Sequence, residues 1–424
     1  MTEDKLLAFH FTRQVGTLSR GADGALLFQY EAGWLAFGNR FALATSLPLR
    51  EERVETSFFS NLLPEAGARE RIAKNAGISV GNDFEFLRIF GGDCAGSLAI
   101  FPPGSAGKDL AESTEPKVPD ILLTDEHGLE LSTRSGFAEF FHPDKRVRLS
   151  LAGAQNKLAV VVTSAGLAIP TCGRPSTHIL KLPNPDYKGL VENEALMLSL
   201  AKAVGLPVVE HDVVELGGTR MLLLTRYDRA RDESGGIARL HQQDLCQALG
   251  YPPDIKYEKE GGPSLADAFD LVRDEVDDPL SASRAMVGWV VFNVLVHNAD
   301  AHAKNLSLLR KKLCSEPDRF SHELAPFYDL VCTGTYPLDH HMAMSVGGQL
   351  DPGAISKKNW TKLAADIGVG KQLFLKTVAE MGARLPALFD AEVDAFLEKW
   401  KTLPRRQQLE DTVKKRIKKT LSLL

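Results

Sequence analysis

The sequence lacks the features of secreted, disulfide-stabilised or membrane proteins. Its five cysteines are odd in number and never form a C-x-x-C pair, so neither a disulfide framework nor a zinc site is indicated. The N-terminal segment MTEDKLLAFHFTRQ has no basic-then-apolar signal layout, and no run of about 18 apolar residues stands out. We therefore expect a soluble, cytoplasmic protein without a membrane partner.

An excess of charge of one sign is missing as well. The formal net charge is -5 at pH 7, so the chain has no global attraction to nucleic acid or anionic lipid. Hydrophobic residues at 44% and charged residues at 25% are ordinary for a soluble globular protein and argue against a disordered or fibrous class. A chain of 424 residues is too long for one compact core, so we expect two or three packed units.

The common metal and phosphate motifs are also absent. No H-x-x-x-H or H-E-x-x-H occurs, so a zinc site is not expected. Residues 150–157 contain one glycine and match neither G-x-G-x-x-G nor G-x-x-x-x-G-K-[ST], and a plain hairpin turn is the commoner meaning of such a segment. Small residues and side-chain donors there can still approach a phosphate. The candidate contacts are Ala152, Gly153, Ala154, Gln155, Asn156 and Lys157.

Apolar periodicity divides the chain into three predicted domains. Residues 1–113 predict a small mixed α/β subdomain that ends in a linker rich in glycine and proline. Residues 114–228 are strand-rich, with one helix that runs from Glu192 to the stop signal Gly205. Residues 229–424 are mostly helical. A β-rich N-terminal lobe followed by an α-helical C-terminal lobe predicts an α+β, protein-kinase-like two-lobed fold, although layout alone is only an analogy.

Several helices are predicted in the last of these domains. They are expected at QQDLCQALG, SLADAFDLVRDEV, SASRAMVGWVVFNVLVHN, KQLFLKTVAEMGARL, ALFDAEVDAFLEKW and LEDTVKKRIKKTLSLL. The last segment surrounds its apolar stripe with lysines. Such a face is usually just solvated, and a contact with DNA phosphate is the less common alternative.

The most informative stretch is VGWVVFNVLVHNADAHAKNLSLL, residues 287–309. An apolar helix runs into polar residues that it presents at its buried end. Protein kinases use D-x-x-x-x-N, in which the Asp accepts the hydroxyl proton and the Asn holds magnesium. Asp300 and Asn305 have this spacing, and we assign His302 to orienting the loop and Lys304 to contacting the nucleotide. A bare D-x-x-x-x-N is more often a capped turn, so the apolar context carries the interpretation.

A second carboxylate follows in APFYDL. Asp329, preceded by Tyr328, stands where kinases keep the metal-binding Asp of D-F-G, although the sequence here is F-Y-D-L. Alone it is more often a turn or helix-cap carboxylate. Together with Asn305 it predicts oxygen ligands for Mg²⁺, and Tyr328 is placed beside the nucleotide.

Lys181 lies in THILKLP, an alternating strand. Kinases pair a strand lysine with a helix glutamate and direct the lysine at the ATP phosphates. The partner is Glu194 or Glu192, with Glu194 preferred, and a surface lysine on an edge strand is the alternative.

The strand in LLLTRYDR leads into a candidate hinge. Backbone groups of Thr225, Arg226 and Tyr227 could hydrogen-bond adenine there. A strand that ends in a charged turn is the plain alternative.

With these elements in order, the sequence resembles the HipA family of toxin kinases over nearly its whole length. The resemblance is carried by FFSNLLPE, GGDCAGSL, SLAGAQNKLAV, THILKLP, ENEALMLSLAKAVGLPV, QQDLCQALG, KYEKEGGPS and NADAHAKN. Ala301 stands where the family's catalytic motif often has Gly, and Thr225 stands where an acidic residue often precedes the hinge. Neither change removes a charge from the chemistry.

The resemblance implies an ATP- and Mg²⁺-dependent serine/threonine protein kinase that phosphorylates a translation factor, typically an aminoacyl-tRNA synthetase. It implies neutralisation by a small helix-turn-helix antitoxin, HipB, and contact with operator DNA through the antitoxin complex. It makes Asp300 the base, Asn305 and Asp329 the metal ligands, and Lys181 the phosphate-binding lysine. Ser150 matches the family's autophosphorylated serine.

Two other functions stay open from the sequence. A small-molecule or lipid phosphotransferase would also use a D-x-x-x-x-N loop, and radiolabel on Ser150 would argue against it. A corepressor that rides on an antitoxin would depend on the charged C-terminal helix more than on Asp300. An Asp300→Asn variant that keeps repression but loses toxicity would separate the two roles.

Overall fold

The computed structural model describes residues 5–104, 106, 119–133, 155–171, 174–231, 236–312 and 320–424. The chain divides into two compact units, each built from separate segments of sequence. The first unit comprises Met1–Pro185, Val214–Pro253 and Leu309–Phe320. The second comprises Asp186–Val213, Asp254–Leu308 and Ser321–Leu424. The three-domain division drawn from the sequence stays a prediction.

A five-stranded antiparallel sheet begins the first unit. In spatial order its strands are Val54–Glu55, Leu26–Tyr30, Arg13–Arg20, Lys5–His10 and Leu98–Phe101. Its strands alternate apolar and polar residues, which places Leu6, Leu18 and Phe28 in the core. Short helices cover this core, namely Ala32–Leu35, Ala66–Ala76 and Asp83–Phe90.

A second sheet in the same unit contains the strands that flank Lys181. Five neighbouring strands in spatial order are Thr219–Thr225, His178–Lys181, Lys157–Thr163, Gly166–Ile169 and Ile121–Leu122. The unit also holds a ribbon of Arg229–Arg231 with Ile237–Arg239, the strand His241–Asp244, and the helices Asp125–Leu131 and Leu245–Leu249. Three further strands contain residues assigned to both units: His211–Leu216, Ser307–Lys312 and Phe320–Leu324.

The second unit is predominantly helical. Its helices are Leu190–Ala203, Leu265–Glu275, Pro279–Val296, Lys357–Asp366, Lys371–Trp400 and Arg406–Ser422. With the β-rich first unit this makes an α+β chain, as predicted. The helix Lys357–Asp366 has no counterpart among the predicted elements.

Two predicted helices need correction. In QQDLCQALG the residues Gln242, Gln243 and Asp244 belong to a strand, because Asp244 forms a capping box with Gln247 and the helix therefore begins at Leu245. The segments KQLFLKTVAEMGARL and ALFDAEVDAFLEKW form one helix through Pro386. Its buried stripe continues on both sides of the proline, and this packing outweighs the lost hydrogen bond.

The helix Pro279–Val296 is long and apolar enough to cross a membrane by length and composition, but 67% of it is buried inside the protein. Asp278 caps its first turn by accepting from the Ser281 N–H, and Pro279 occupies the first position. An almost continuous apolar surface is what a helix surrounded by protein requires. It is the core helix of the second unit, and it leads directly to Asp300.

Candidate active site

The core helix ends in an unusual cap that starts the catalytic loop. His297 adopts a left-handed conformation with φ 57°, and the Asn298 N–H donates back to the Asn293 carbonyl at 2.8 Å, which closes the helix. The His297 ring lies against Gly334, where a Cβ atom would come within 2.2 Å of the ring nitrogen Nδ1. Only glycine therefore fits at position 334 without displacing the cap.

Asn298 connects three parts of the site. Its Nδ2 donates to Asn293 Oδ1 at 2.8 Å and to the Asp329 carbonyl at 3.4 Å. Its Oδ1 accepts from the Asp300 N–H at 3.3 Å. Asn298 is 1% exposed, so its polar atoms cannot reach solvent and these bonds supply their partners. Asn298 thus holds the loop of Asp300 next to the backbone of Asp329.

Asp300 presents its carboxylate to solvent. The side chain is 56% exposed, and its Oδ1 accepts a hydrogen bond from the Tyr257 hydroxyl at 2.6 Å. The Asp300 carbonyl accepts from Asn305 Nδ2 at 2.9 Å and from the His302 N–H at 2.9 Å. Because its backbone is fixed and its carboxylate is accessible, Asp300 has the arrangement that a general base requires.

His302 is a buried support of this loop. Its carbonyl accepts the Asn305 N–H at 2.9 Å, and its ring packs edge-on against Tyr257 with the centroids 5.4 Å apart. Burial, followed by the positive charge of Lys256, lowers the pKa of His302 well below 6.5, against the opposing effect of Asp329. The imidazole is therefore neutral near pH 7. These contacts support its predicted role in orienting the loop.

Asn305 and Asp329 supply oxygen atoms suited to a hard cation. Asn305 uses its amide nitrogen to donate to Asp300, which assigns the amide oxygen to the opposite side of the group. Asp329 adopts a left-handed backbone with φ 58°, a conformation that Asp tolerates better than most residues. An amide oxygen and a carboxylate fit Mg²⁺ by donor chemistry. Their role as metal ligands stays a prediction.

Lys304 and Tyr328 are joined by a hydrogen bond. The Tyr328 hydroxyl donates to the Lys304 carbonyl at 2.8 Å and lies 2.7 Å from Ser307 Oγ. Lys304 is buried in the single turn Ala303–Asn305. The sequence-predicted residues Asp300, His302, Lys304, Asn305, Tyr328 and Asp329 are therefore gathered in the second unit.

The segment after Asp329 fixes the loop from behind. The Thr333 hydroxyl donates to the His297 carbonyl at 3.1 Å and accepts from the Ala299 N–H at 2.7 Å. One residue earlier, the backbone N–H and carbonyl of Cys332 form hydrogen bonds with the Asn193 side chain at 2.9 and 3.0 Å. The helix that carries Glu192 and Glu194 is thereby anchored to the segment that holds the catalytic loop.

Lys181 lies in the first unit on a face of the sheet that it shares with a second lysine. In the register of neighbouring strands, Lys181 stands opposite both Lys157 and Leu222, and opposite residues point to the same face. Lys181 is only 4% exposed. Lys157 and Lys181 are therefore neighbours in the register of this sheet. Their contact with phosphate stays a prediction.

The described part of the candidate phosphate loop packs against both its own sheet and a helix of the N-terminal subdomain. Gln155 donates to the Leu182 carbonyl at 3.3 Å. Arg71 donates to the side-chain oxygen of Asn156 at 2.6 Å. A phosphate contact through the Asn156 amide nitrogen stays a prediction. Ser150, Ala152, Gly153 and Ala154 lie outside the described residues.

The candidate hinge takes part in a buried ion network through Arg226. Arg226 is bonded through its guanidinium to Asp93 and Asp228, and its backbone N–H donates to the Thr177 carbonyl at 3.0 Å. Neither group is therefore available to adenine. The hydroxyl of Tyr227 donates to Gln242, and Thr225 pairs with His178 at the strand end. Adenine binding by this segment stays a prediction.

Glu192 and Glu194 are both buried on the helix Leu190–Ala203. That helix belongs to the second unit and Lys181 to the first. The pairing of Lys181 with Glu194, or with Glu192, stays a prediction.

Three residues of the site were not assigned a role from the sequence: Tyr257, Asn298 and Thr333. Tyr257 lies 43 residues before Asp300, within the block KYEKEGGPS that carried part of the family resemblance. A block with two glycines inside a helical region was the available signal. Asn298 is the first polar residue after the cap, and Thr333 gave no signal in the sequence.

Two family models match the chain. The HipA-like C-terminal domain matches residues 149–389, and the HipA N-terminal domain matches residues 6–101. The first match alone covers more than half of the chain. The chain belongs to the HipA family.

Relatives of this family are similar over most of their length. The Sinorhizobium fredii protein named "Putative kinase Y4mE" is 37% identical over 381 residues, which cover 87% of this chain and 87% of the relative. The "Serine/threonine-protein kinase toxin HipA" of Shewanella oneidensis is 29% identical over 393 residues, covering 88% of this chain and 85% of the relative. The predicted resemblance to HipA toxin kinases is confirmed.

A solved structure agrees with the sequence comparison. A chain in the Shewanella oneidensis MR-1 complex of HipA, HipB and operator DNA matches with a TM-score of 0.80 and 26% identity, covering 99% of this chain and 98% of that chain. The fold is therefore the α+β, protein-kinase-like fold that the sequence predicted. Because its HipA relatives are named as kinases, the chain is a HipA-like protein of kinase type.

Proposed function

We propose that this HipA-family chain is an ATP-dependent serine/threonine protein kinase with Asp300 as its catalytic base. The observation that carries the proposal is the exposed Asp300 carboxylate on a loop fixed by Asn298 and Asn305 beside Asp329. A carboxylate held in place with oxygen ligands nearby is the constellation that phosphoryl transfer requires.

In the proposed reaction a carboxylate oxygen of Asp300 accepts the proton of a serine or threonine hydroxyl. The hydroxyl oxygen forms a bond to the γ-phosphorus of ATP as the bond from that phosphorus to the β-phosphate oxygen breaks. The products are a phosphorylated acceptor, ADP and a proton on Asp300. The fixed backbone of Asp300 keeps the base in one orientation, which lowers the entropic part of the barrier.

Asn305 and Asp329 are the residues that would hold Mg²⁺. The bound cation would neutralise charge on the phosphate oxygens. Lys181 would bind phosphate, with Lys157 beside it in the register of the sheet. The other proposed nucleotide contacts are residues 152–157, His302, Lys304, Tyr328, Thr225, Arg226 and Tyr227. Arg226 would contribute its carbonyl oxygen, because its guanidinium and its N–H are already paired.

The biological role proposed is that of the toxin in a HipBA-type module. The protein would phosphorylate a translation component such as an aminoacyl-tRNA synthetase and would phosphorylate itself on Ser150. Its partners would be a helix-turn-helix antitoxin and, through it, operator DNA. The similarity to a chain from a complex of HipA, HipB and operator DNA supports these partners, and it equally favours a second role as a corepressor.

Phosphosite mapping by mass spectrometry after incubation with Mg-ATP tests the kinase. We expect phosphate on Ser150 in the wild type and in Asp366→Asn, which removes an exposed carboxylate paired with Lys362. We expect at least a hundredfold less in Asp300→Asn, since loss of general-base catalysis costs about 10² to 10⁴. Lys181→Met should weaken ATP binding in calorimetry.

No phosphate in any variant, together with no ATP binding, would refute the kinase and leave the corepressor. Phosphate in Asp300→Asn at the wild-type level would refute the role of Asp300 alone. Operator binding by the antitoxin complex of Asp300→Asn separates the two functions, because a corepressor does not need the base.

A further inference from the structure

A short loop in the second unit, residues 254–262, brings Tyr257 to the candidate base. The Tyr257 hydroxyl donates to Asp300 Oδ1 at 2.6 Å, and its half-buried ring stands edge-on to His302. The hydroxyl thus contacts a carboxylate oxygen of the residue on which the proposed chemistry depends.

The loop has the geometry of a rigid support. The N–H groups of Glu260 and Gly262 both donate to the Tyr257 carbonyl at 3.0 Å, so the chain turns tightly around the tyrosine. At Gly262 a Cβ atom would lie 2.8 to 2.9 Å from the backbone of three loop residues. Gly261 adopts φ +90°, which other residues rarely do. Both glycines of KYEKEGGPS are therefore needed to place Tyr257.

The other side of the loop is clamped to the segment 339–345. The Glu258 carboxylate accepts from the hydroxyl of Ser345 at 2.7 Å and from its N–H, and the Glu258 N–H donates to the Ala343 carbonyl at 3.0 Å. An exposed ion pair joins Lys259 to Asp339. Tyr257 is thus held from both sides in front of Asp300.

We propose that Tyr257 is a positioning residue for Asp300, and that its loop is part of the phosphoryl-transfer apparatus. The inference rests on the proposed kinase function and adds a residue to it. Because the Asp300 side chain is exposed, its carboxylate would otherwise rotate among staggered conformers. A charge-assisted hydrogen bond from an anchored phenol selects one of them.

Tyr257→Phe tests this with the ring kept and the hydroxyl removed. Full-length protein is incubated with Mg-ATP, and the initial rate of phosphate incorporation per chain is measured against ATP concentration. Since a hydrogen bond to a charged group is worth more than a neutral one, we expect the maximal rate to fall about tenfold. The half-saturating ATP concentration and the thermal unfolding transition should not change.

Two further variants make the result specific. Tyr187→Phe removes a tyrosine hydroxyl from a ring that packs on Tyr336, and it should keep the wild-type rate. Ser345→Ala leaves Tyr257 intact but loosens the clamp on Glu258. We expect about a threefold fall in its maximal rate, smaller than in Tyr257→Phe because the N–H of residue 345 still donates to Glu258.

The outcomes separate the two proposals. If the wild type is active and both Tyr257→Phe and Ser345→Ala keep its maximal rate, the positioning role is overturned and the kinase proposal stands. An equal loss in Tyr257→Phe and Tyr187→Phe, or a loss explained by weaker ATP saturation, also overturns it. A wild type that incorporates no phosphate removes the kinase proposal and this inference together.

Discussion

His10 illustrates how burial sets the charge state of single residues. It packs edge-on against the rings of Phe11, Trp34 and Phe41. Burial lowers the pKa of His10 to about 3, and the positive charges of His241, Arg310 and Arg239 act in the same direction to a smaller extent. A histidine in such a place is neutral in the folded protein over the whole physiological range.

This makes the stability of the first unit depend on pH. The pKa of His10 rises to about 6.5 in the unfolded chain, so as pH falls below that value the unfolded state binds a proton that the folded state does not. The free energy of unfolding therefore decreases as pH falls from about 6.5 towards 3. His10→Phe should reduce the loss between pH 7 and 5 by about 1–2 kcal/mol.

This is checked by denaturant unfolding at pH 7 and at pH 5, with Trp34 fluorescence as the signal. His322→Phe, on an exposed strand position of the second unit, is the control and should retain the wild-type loss. An unchanged pH dependence in His10→Phe would show that folding does not lower the pKa of His10.

At the scale of elements, side chains rather than backbone ladders join the helices of the second unit to its loops. Asn193 is fully buried on the helix Leu190–Ala203. Its side chain accepts from the Cys332 N–H and donates to the Cys332 carbonyl. It also donates to the Tyr336 hydroxyl at 3.3 Å. One amide thereby replaces the missing backbone partners of a buried segment.

Asn193→Ala should lower the free energy of unfolding by about 2–4 kcal/mol, because the buried Cys332 N–H loses its partner and the Cys332 carbonyl keeps only the Thr335 hydroxyl. Gln407→Ala, which removes an exposed hydrogen bond to Asp411, should change it by less than about 0.5 kcal/mol. Denaturant titration in a Trp34→Phe background measures both, with the fluorescence of Trp289, Trp360 and Trp400 as the signal. Equal stability of the two variants would contradict the structural role of Asn193.

Predictions at this scale succeeded where the apolar period was continuous and failed at the ends of elements. The helix Pro279–Val296 and the strands around Lys181 were anticipated. The segment QQDLCQALG predicts a helix that includes Gln242, whereas Gln242 lies in the strand His241–Asp244 that precedes the cap. The cap itself depends on Asp244 and Gln247, and this local competition decides where a helix starts.

At the scale of the whole molecule, charged residues far apart in sequence hold the first unit together. The carboxylate of Asp93 lies within 2.7 to 3.3 Å of the guanidinium groups of Arg226, Arg229 and Arg239, and Asp228 completes the network. Asp93 is fully buried. Burial alone would raise its pKa, but the three guanidinium groups together with the Ser176 hydroxyl lower it.

Asp93→Asn should destabilise the first unit by about 3–5 kcal/mol, since it leaves buried guanidinium charge without compensation. Glu85→Gln, which breaks a more exposed ion pair with Arg88, should cost less than about 1 kcal/mol. Denaturant unfolding followed by Trp34 measures both.

The same network gives a second pH signature. Because the pKa of Asp93 is lowered by folding, its contribution is complete above the unfolded value of about 4 and is lost as pH falls below it. The Asp93→Asn variant should lack this acid-induced loss. An Asn variant as stable as the wild type would contradict a structural role for the network.

The amino-acid sequence by itself determined the class of protein, most strands and helices, and the local motif that joins Asp300 to Asn305. These depend on composition and on spacings of a few residues, which the backbone geometry converts directly into faces and turns. The family resemblance followed from blocks of the same short range.

Only the tertiary structure decided which distant residues meet. Tyr257 reaches Asp300 across 43 positions, Asn193 reaches Cys332 across 139, and Asp93 reaches Arg226 across 133. It also places the guanidinium of Arg226 in a buried ion network with Asp93 and Asp228. Such contacts result from the packing of whole elements around a core, which brings together side chains whose separation along the chain carries no periodic signal.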